Sequence, residues 1–141
     1  MTIVVDSSMA LAWAYHDEET PATLEALERV TNEGGCVPLI WRLEVANSLQ
    51  NSVRSRRIDV AFRDRALEIL GALELTIDVE TNDHAWTRTL DVAERLRLTL
   101  YDASYLELAE RRKLPLATLD KDLRRAAREA SVSVVEGHEL L

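Results

Sequence analysis

The sequence has one cysteine, Cys36, in 141 residues. No internal disulfide can form, and a lone thiol fits either a reducing compartment or a buried apolar position. Four glycines and three prolines are too few for a flexible linker or a proline-rich tract, and no repeat interrupts the chain. No apolar run approaches the ~18 residues of a membrane helix. Ile3-Val4-Val5-Asp6 stands near the N-terminus without the basic and apolar leader of an exported protein. A soluble, cytoplasmic protein without membrane contact is expected, as one domain over residues 1–141. Aromatics make up only 5% of the chain, so Trp13, Trp41 and Trp86 are expected as core or dimer contacts and not as base-stacking platforms. Positive charge is also scarce. Lysine and arginine number 17 against 25 aspartates and glutamates, a net charge of −8 that excludes a generally basic nucleic-acid surface.

What is present in quantity is apolar residues, 47%, and carboxylates. The first suffice for one core that buries about two-thirds of the unfolded surface. The second are what a divalent-cation site requires. The cations that do occur are clustered. Arg54, Arg56 and Arg57 form one group with Arg63 and Arg65 close behind, and Lys121, Arg124, Arg125 and Arg128 form another. Each group is either a solvated helix face or a phosphate contact.

Short apolar strands alternate with helical periodicity. Strands are expected at Ile3-Val5, Cys36-Val37, Thr76-Val79, Leu116-Thr118 and Val132-Val135. Helices are expected from Ser7 to about Tyr15 with Ser7-Ser8 as cap, and from Pro21 until Gly34-Gly35 ends it. Others run from Ile40 to Arg56 and Asp59 to Leu73, as a helical hairpin, then Asp83 to Leu96, Tyr101 to Arg112 and Lys121 to Ala130. This alternation indicates an α/β sandwich with a mainly parallel sheet of about five strands and flanking helices.

In such a fold, ligands bind beyond the carboxyl ends of the strands. Asp6 directly follows the first strand and Asp120 follows Leu116-Ala117-Thr118-Leu119, although each also suits a helix N-cap. Glu44 belongs to a polar stripe with Asn47, Ser48 and Asn51 that borders the apolar face of its helix, with Arg42 nearby. A wet cleft fits this row of small polar groups better than a salt-bridged surface. Asp102 precedes Leu106 by four residues and Ala109 by seven, in line with the apolar side of its helix, while Thr99 three residues earlier allows a capping box instead. Four carboxylates at one sheet edge repel by roughly 4 kcal/mol per pair at ~4 Å, so a fold that gathers them holds a cation. Oxygen ligands without His or Cys select Mg²⁺ or Mn²⁺ over Zn²⁺. His16, His84 and His138 are too scattered to change this and are expected as ordinary surface or core residues.

The segments Ile3-Val-Val-Asp6-Ser-Ser, Leu43-Glu44-Val-Ala-Asn47, Tyr101-Asp102-Ala-Ser-Tyr-Leu-Glu-Leu-Ala109 and Leu116-Ala-Thr118-Leu-Asp120-Lys-Asp-Leu123 resemble the PIN-domain family, and more narrowly its VapC-type toxins. The resemblance covers nearly the whole chain in order and spacing. It implies a three-layer PIN-like sandwich and a Mg²⁺- or Mn²⁺-dependent endoribonuclease that cuts single-stranded or loop RNA. It also implies a homodimer inhibited by a cognate VapB-type antitoxin, through which alone operator DNA is bound. By position, Asp6, Glu44, Asp102 and Asp120 match the acidic quartet, Thr118 matches a supporting hydroxyl, and Asn47 is a further supporting candidate. Asp122 is the alternative to Asp120, since either can cap the last helix while the other reaches the metal. Arg42, Lys121 and Arg124 are the candidate RNA contacts.

Two other readings compete with a nuclease. A phosphatase or receiver-like domain shares the strand-Asp-helix start, but Ser7-Ser8 follows Asp6 where an aspartyl-phosphate phosphatase has a second aspartate, and no lysine ends the Leu116 strand. A non-catalytic interaction module on the same scaffold would use the acids only as caps.

Overall fold

The structure, a computed structural model, describes residues 2–137. Strand β1 (Ile3–Val5) is three β-prone residues with no exposed surface. It pairs in parallel with β2 (Gly35–Pro38) on one side and with β4 (Leu116–Ala117) on the other, while β3 (Leu75–Asp78) pairs in parallel with β2. The order across the sheet is β3-β2-β1-β4. From β1 the chain first builds outward through β2 to β3 and only then returns to the opposite side with β4. The switch in direction therefore lies between β1 and β4, where an open α/β sheet leaves a crevice at its carboxyl edge.

The helices are α1 (Ser7–Ala14), α2 (Pro21–Glu33), α3 (Trp41–Arg54), α4 (Val60–Gly71), α5 (Thr81–His84), α6 (Arg88–Leu96), α7 (Leu100–Arg112) and α8 (Lys121–Glu129). Helix α2 begins with Pro21 in its first turn and a reciprocal Thr20/Thr23 capping box. It stops at Gly34, whose φ of 77° with ψ of 177° is a conformation open essentially to glycine alone. Helix α7 is the central one. Ala103 through Ala109 are all buried, and it packs on β1, β2, α6 and α8. One hydrophobic core runs from β1 and β2 through Leu49, Leu70, Leu96, Leu106, Leu108 and Leu123. No helix among the described residues is long and apolar enough to cross a membrane.

The expected α/β class holds, with three local corrections. The sheet has four strands rather than about five, because β4 is only two residues long and Thr118 leaves it to meet Asp6. The Val132–Val135 segment is left a single bridge, Val134 to Leu116. The expected helix from Asp83 to Leu96 is two helices. Thr81 ties α5 to the end of β3 and to β2, its hydroxyl bonding Asp78 O at 3.0 Å and Leu39 N at 3.0 Å, whereas α6 packs its Val92, Ala93 and Leu96 stripe toward α7. The cap of α1 is Asp6 and not Ser7 or Ser8. Trp41 is buried and Trp13 is half-buried, but Trp86 is 87% exposed and belongs to no core. His84 is half-buried, while the side chain of His16 and the whole of His138 lie outside the described residues.

A buried ion network fixes the far side of the sheet. Asp78, with no exposed surface, receives Arg111 at 2.5 Å and Arg112 at 3.1 Å, and Arg111 also holds Glu107 at 2.9 Å. Burial pushes the Asp78 carboxyl up more than any one partner pulls it down, yet the Arg111 hydrogen bonds and charge together with the Glu80 N–H and the Thr81 hydroxyl hold the group below its ordinary value.

Candidate active site

The first carboxylate is built by the end of β1. The Asp6 N–H donates to Ala117 O at 3.1 Å, which sets the residue at the β1/β4 switch. Its Oδ1 then accepts the Met9 N–H at 2.9 Å as the N-cap of α1, and the Ser8 hydroxyl reaches both carboxylate oxygens at 2.8 and 2.9 Å. The Thr118 hydroxyl, from the residue after β4, donates to Oδ2. Asp6 is 4% exposed, and desolvation pushes its pKa up to about 6 in spite of the Thr118, Met9 and Ser8 hydrogen bonds. The Asp102 charge adds to the rise.

The same two hydroxyls carry the chain from β4 to the next carboxylate. Leu119 N–H donates to Ser8 Oγ at 3.0 Å, and Asp120 N–H donates to Thr118 Oγ1 at 3.1 Å. Asp120 caps α8 through its Oδ1, which accepts the Leu123 N–H at 2.8 Å, while Asp122 is exposed within the first turn of the helix. Asp102 sits half-buried in the first turn of α7, whose cap is the Thr99 hydroxyl accepting the Asp102 N–H at 3.1 Å. Burial raises its carboxyl, and the charges of Asp120 and, to a smaller degree, Asp122 raise it further. Glu44, half-buried on α3, takes the Tyr105 hydroxyl on Oε1. It too is raised, by burial first and then by Asp102. Tyr105 lies between the Glu44 and Asp6 charges, and burial with both of them drives its hydroxyl to stay protonated.

Asp6, Glu44, Asp102 and Asp120 thus form a chain of mutually felt charges at the carboxyl edge of the sheet, with Thr118 buried among them. They do not all converge. Among the described residues, no three His, Cys, Asp or Glu side chains stand close enough to share one ion in this arrangement. The donor chemistry still fits a hard divalent cation, because every candidate ligand is a carboxylate oxygen and the charges repel one another. Asn47 is exposed and shares a hollow with Ile40, Leu43, Glu44 and Tyr101. Arg42 is exposed and lines a different hollow, with Ala46, Leu67 and Gly71. Lys121 is exposed at the start of α8, and Arg124 pairs with Glu136 at 3.4 Å.

The PIN domain family model matches residues 3–129, a span that includes all four carboxylates and both strands of the switch. The chain belongs to the PIN domain family. PIN domains are generally nucleases, hydrolases acting on nucleic acid, and generally use divalent metal ions. Among solved structures, this PIN domain is similar to PAE2754 from Pyrobaculum aerophilum, with 27% identity and a TM-score of 0.67 over 89% of this chain and 79% of that one. Its fold is also that of a chain in a toxin-antitoxin complex from Klebsiella pneumoniae, with 19% identity and a TM-score of 0.59 over 86% of this chain and 89% of that one. A search of curated proteins gives no significant match.

Two residues of this PIN domain escaped the sequence reading. Ser8 reads as a helix cap, yet its hydroxyl joins Asp6 to the backbone of Leu119. Tyr105 stands in the third motif without a role of its own, yet it carries the hydrogen bond to Glu44. The signal for Tyr105 was its position three residues after Asp102, on the same side of α7.

Proposed function

We propose that this PIN domain is a Mg²⁺- or Mn²⁺-dependent endoribonuclease of the VapC type, a toxin that cuts single-stranded or loop RNA and is held inactive by a cognate antitoxin. The observation that supports it most is the run of raised carboxyl groups, Asp6, Glu44 and Asp102, beside Asp120 at the β1/β4 switch of a PIN fold. Groups raised in this way sit poorly in an unliganded protein, which is the signature of a site selected for binding or catalysis.

Asp6, Asp102 and Asp120 are the residues that would hold the cation, with Glu44 as a further ligand or as the group that would orient the attacking water, and binding would draw them closer than they stand in the metal-free arrangement. When bound, a divalent cation supplies Lewis acidity and a water that ionises near neutral pH. Thr118 and Ser8 fix the Asp6 carboxylate by hydrogen bonds to its two oxygens, so its position is set before substrate arrives. Tyr105 stays protonated and keeps Glu44 turned toward the cleft. Lys121, at the mouth of the same loop, contacts the RNA backbone and offsets the acidic repulsion, with Arg42 and Arg124 as more distant contacts.

Exposed Leu43 and Tyr101 rim the hollow beside Glu44, and Leu39, Val79, Trp86 and Leu90 are exposed as well. Apolar exposure on this scale suits a second copy of the chain and an antitoxin. A cytoplasmic location and contact with operator DNA only through the antitoxin complete the reading.

Hydrolysis by water leaves a 5′-phosphate and a 3′-hydroxyl. Incubation of antitoxin-free protein with labelled single-stranded and hairpin RNAs, with and without Mn²⁺ or Mg²⁺, is expected to give metal-dependent fragments with those termini. Fragments ending in 2′,3′-cyclic phosphate would contradict the route.

A further inference from the structure

Helix α3 leaves the carboxylate cluster at Glu44 and ends in the basic turn Arg54, Arg56, Arg57. Glu44, Ser48 and Ser52 follow at intervals of four, so they share one face of the helix over ~12 Å, about the length of three stacked nucleotides at ~3.4 Å each. Opposite that face, Ser8, Leu11 and Tyr15 come from α1 and its end. The two sides enclose a hollow of about 390 Å³ that Leu119 closes at the inner end and Arg57 and Glu18 close at the outer end. The inner end is continuous with the candidate site, because Ser8 bonds Asp6 and Leu119 N–H bonds Ser8.

The outer end is held in place. Arg56 turns the chain at φ 63°, and the Arg57 and Ile58 N–H groups both donate to Ser52 O, at 2.9 and 3.3 Å. The Arg57 guanidinium consequently lies over the Tyr15 ring, 4.4 Å from its centroid, and that ring stacks on Phe62 with centroids 5.5 Å apart. The Tyr15 hydroxyl donates to Ser52 Oγ at 3.2 Å. A guanidinium held by an aromatic face presents its donors in a fixed fork, which suits a phosphate better than a free lysine does. Its present partner is Glu18, at 3.2 Å, an exposed pair of the kind that contributes little to stability.

We propose that this groove is a subsite for RNA flanking the scissile phosphate, in which Arg57 takes a backbone phosphate, the Ser48 and Ser52 hydroxyls and the Tyr15 edge face the nucleotide, and Glu18 is an internal competitor for Arg57. The proposal rests on the ribonuclease reading. An acidic peptide would also find Arg57, but along the groove it would run into the carboxylates of Asp6 and Asp120. An RNA strand running the same way delivers its scissile phosphate there, to the cation.

The test is fluorescence anisotropy with a 5′-labelled single-stranded 12-nucleotide RNA of mixed sequence. The full chain carries Asp102→Asn throughout so that the strand is not cut, and Mn²⁺ is held constant. Arg57→Gln is expected to weaken binding about tenfold and to lower the slope of log affinity against log salt by about 0.7, the loss of one single-strand phosphate contact. Glu18→Gln is expected to tighten binding about threefold by releasing Arg57, a gain that mere loosening of the fold would not give. Affinities unchanged by both substitutions would overturn the subsite, as would an acidic peptide whose binding, and not that of RNA, follows the two changes. Cleavage is assayed separately on the chain with Asp102 intact. Altered RNA affinities with no cleavage under any metal would remove the ribonuclease reading and leave an RNA groove, whereas cleavage with unaltered affinities would do the reverse.

Discussion

Replacing Asp6 with asparagine should stabilise the metal-free protein at neutral pH. In the fold, the Asp6 carboxyl titrates at about 6 instead of 3.8, because burial costs its charged form more than three hydrogen-bonding partners return. At ~1.36 kcal/mol per unit, keeping it ionised above that pH costs ~3 kcal/mol. A carboxyl raised in the folded state contributes stability that is fully present below its unfolded value and is lost as pH rises through its folded value. The metal-free wild type should therefore lose up to ~3 kcal/mol from Asp6 between about pH 4 and pH 7. Glu44 and Asp102, raised as well, add to the same sign. Asparagine caps a helix as well as aspartate, and its amide can still meet Met9 N–H and the Thr118 hydroxyl. Asp6→Asn should match the wild type near pH 4 and exceed it at pH 7.5 by up to ~3 kcal/mol, on the order of 10 °C in midpoint for a domain of this size. Thermal melts in EDTA across that pH range measure it. A variant less stable than the wild type at both ends of the range would refute the burial argument. Asp78, held low by Arg111, acts with the opposite sign and only below the usual carboxylate range, so it does not mask the effect.

Three further outcomes follow from the packing. Arg111→Met leaves Glu107 without its ion partner in the interior and Asp78 with Arg112 alone, and should cost ~3–5 kcal/mol in urea unfolding at pH 7, since removing one partner of a buried pair strands the other. Tyr105→Phe removes the hydrogen bond to Glu44 with little change of shape; kcat should fall about tenfold with KM nearly unchanged, as expected for a group that positions Glu44 and does not bind substrate. Gly34→Ala places a Cβ where φ is 77° and Glu74 O is 3.3 Å away, and should cost ~1–3 kcal/mol in the same unfolding assay.

The candidate carboxylates were legible because each follows a feature that periodicity reveals. Asp6 comes after three apolar β-prone residues, Asp120 after a second such run, and Asp102 lies in line with Leu106 and Ala109 on α7. Asp6 and Asp120 each cap a helix with one carboxylate oxygen, and both also couple electrostatically to Asp102. The two-residue length of β4 was not legible, since it depends on Thr118 turning to Asp6, a contact 112 residues apart in sequence. Nor was the break between α5 and α6, because periodicity along a helix carries no information about Thr81 being anchored to Asp78 and Leu39. The Arg57 turn read only as a charge cluster. Its fixed place over Tyr15 comes from the backbone bonds to Ser52.

The most direct measurement pairs cleavage with metal binding in the wild type and Asp102→Asn, which keeps the shape of the side chain and removes its charge. Both proteins are freed of antitoxin and titrated with Mn²⁺ while the thermal midpoint and the cutting of labelled single-stranded RNA are followed. The wild type should cut RNA only with metal and gain ~2.7 kcal/mol at a hundredfold excess over the dissociation constant. Asp102→Asn should fold, lose most of that gain and cut nothing. Equal cutting by both proteins, or a folded wild type that neither responds to metal nor cuts, would contradict a metal-dependent nuclease site at these carboxylates.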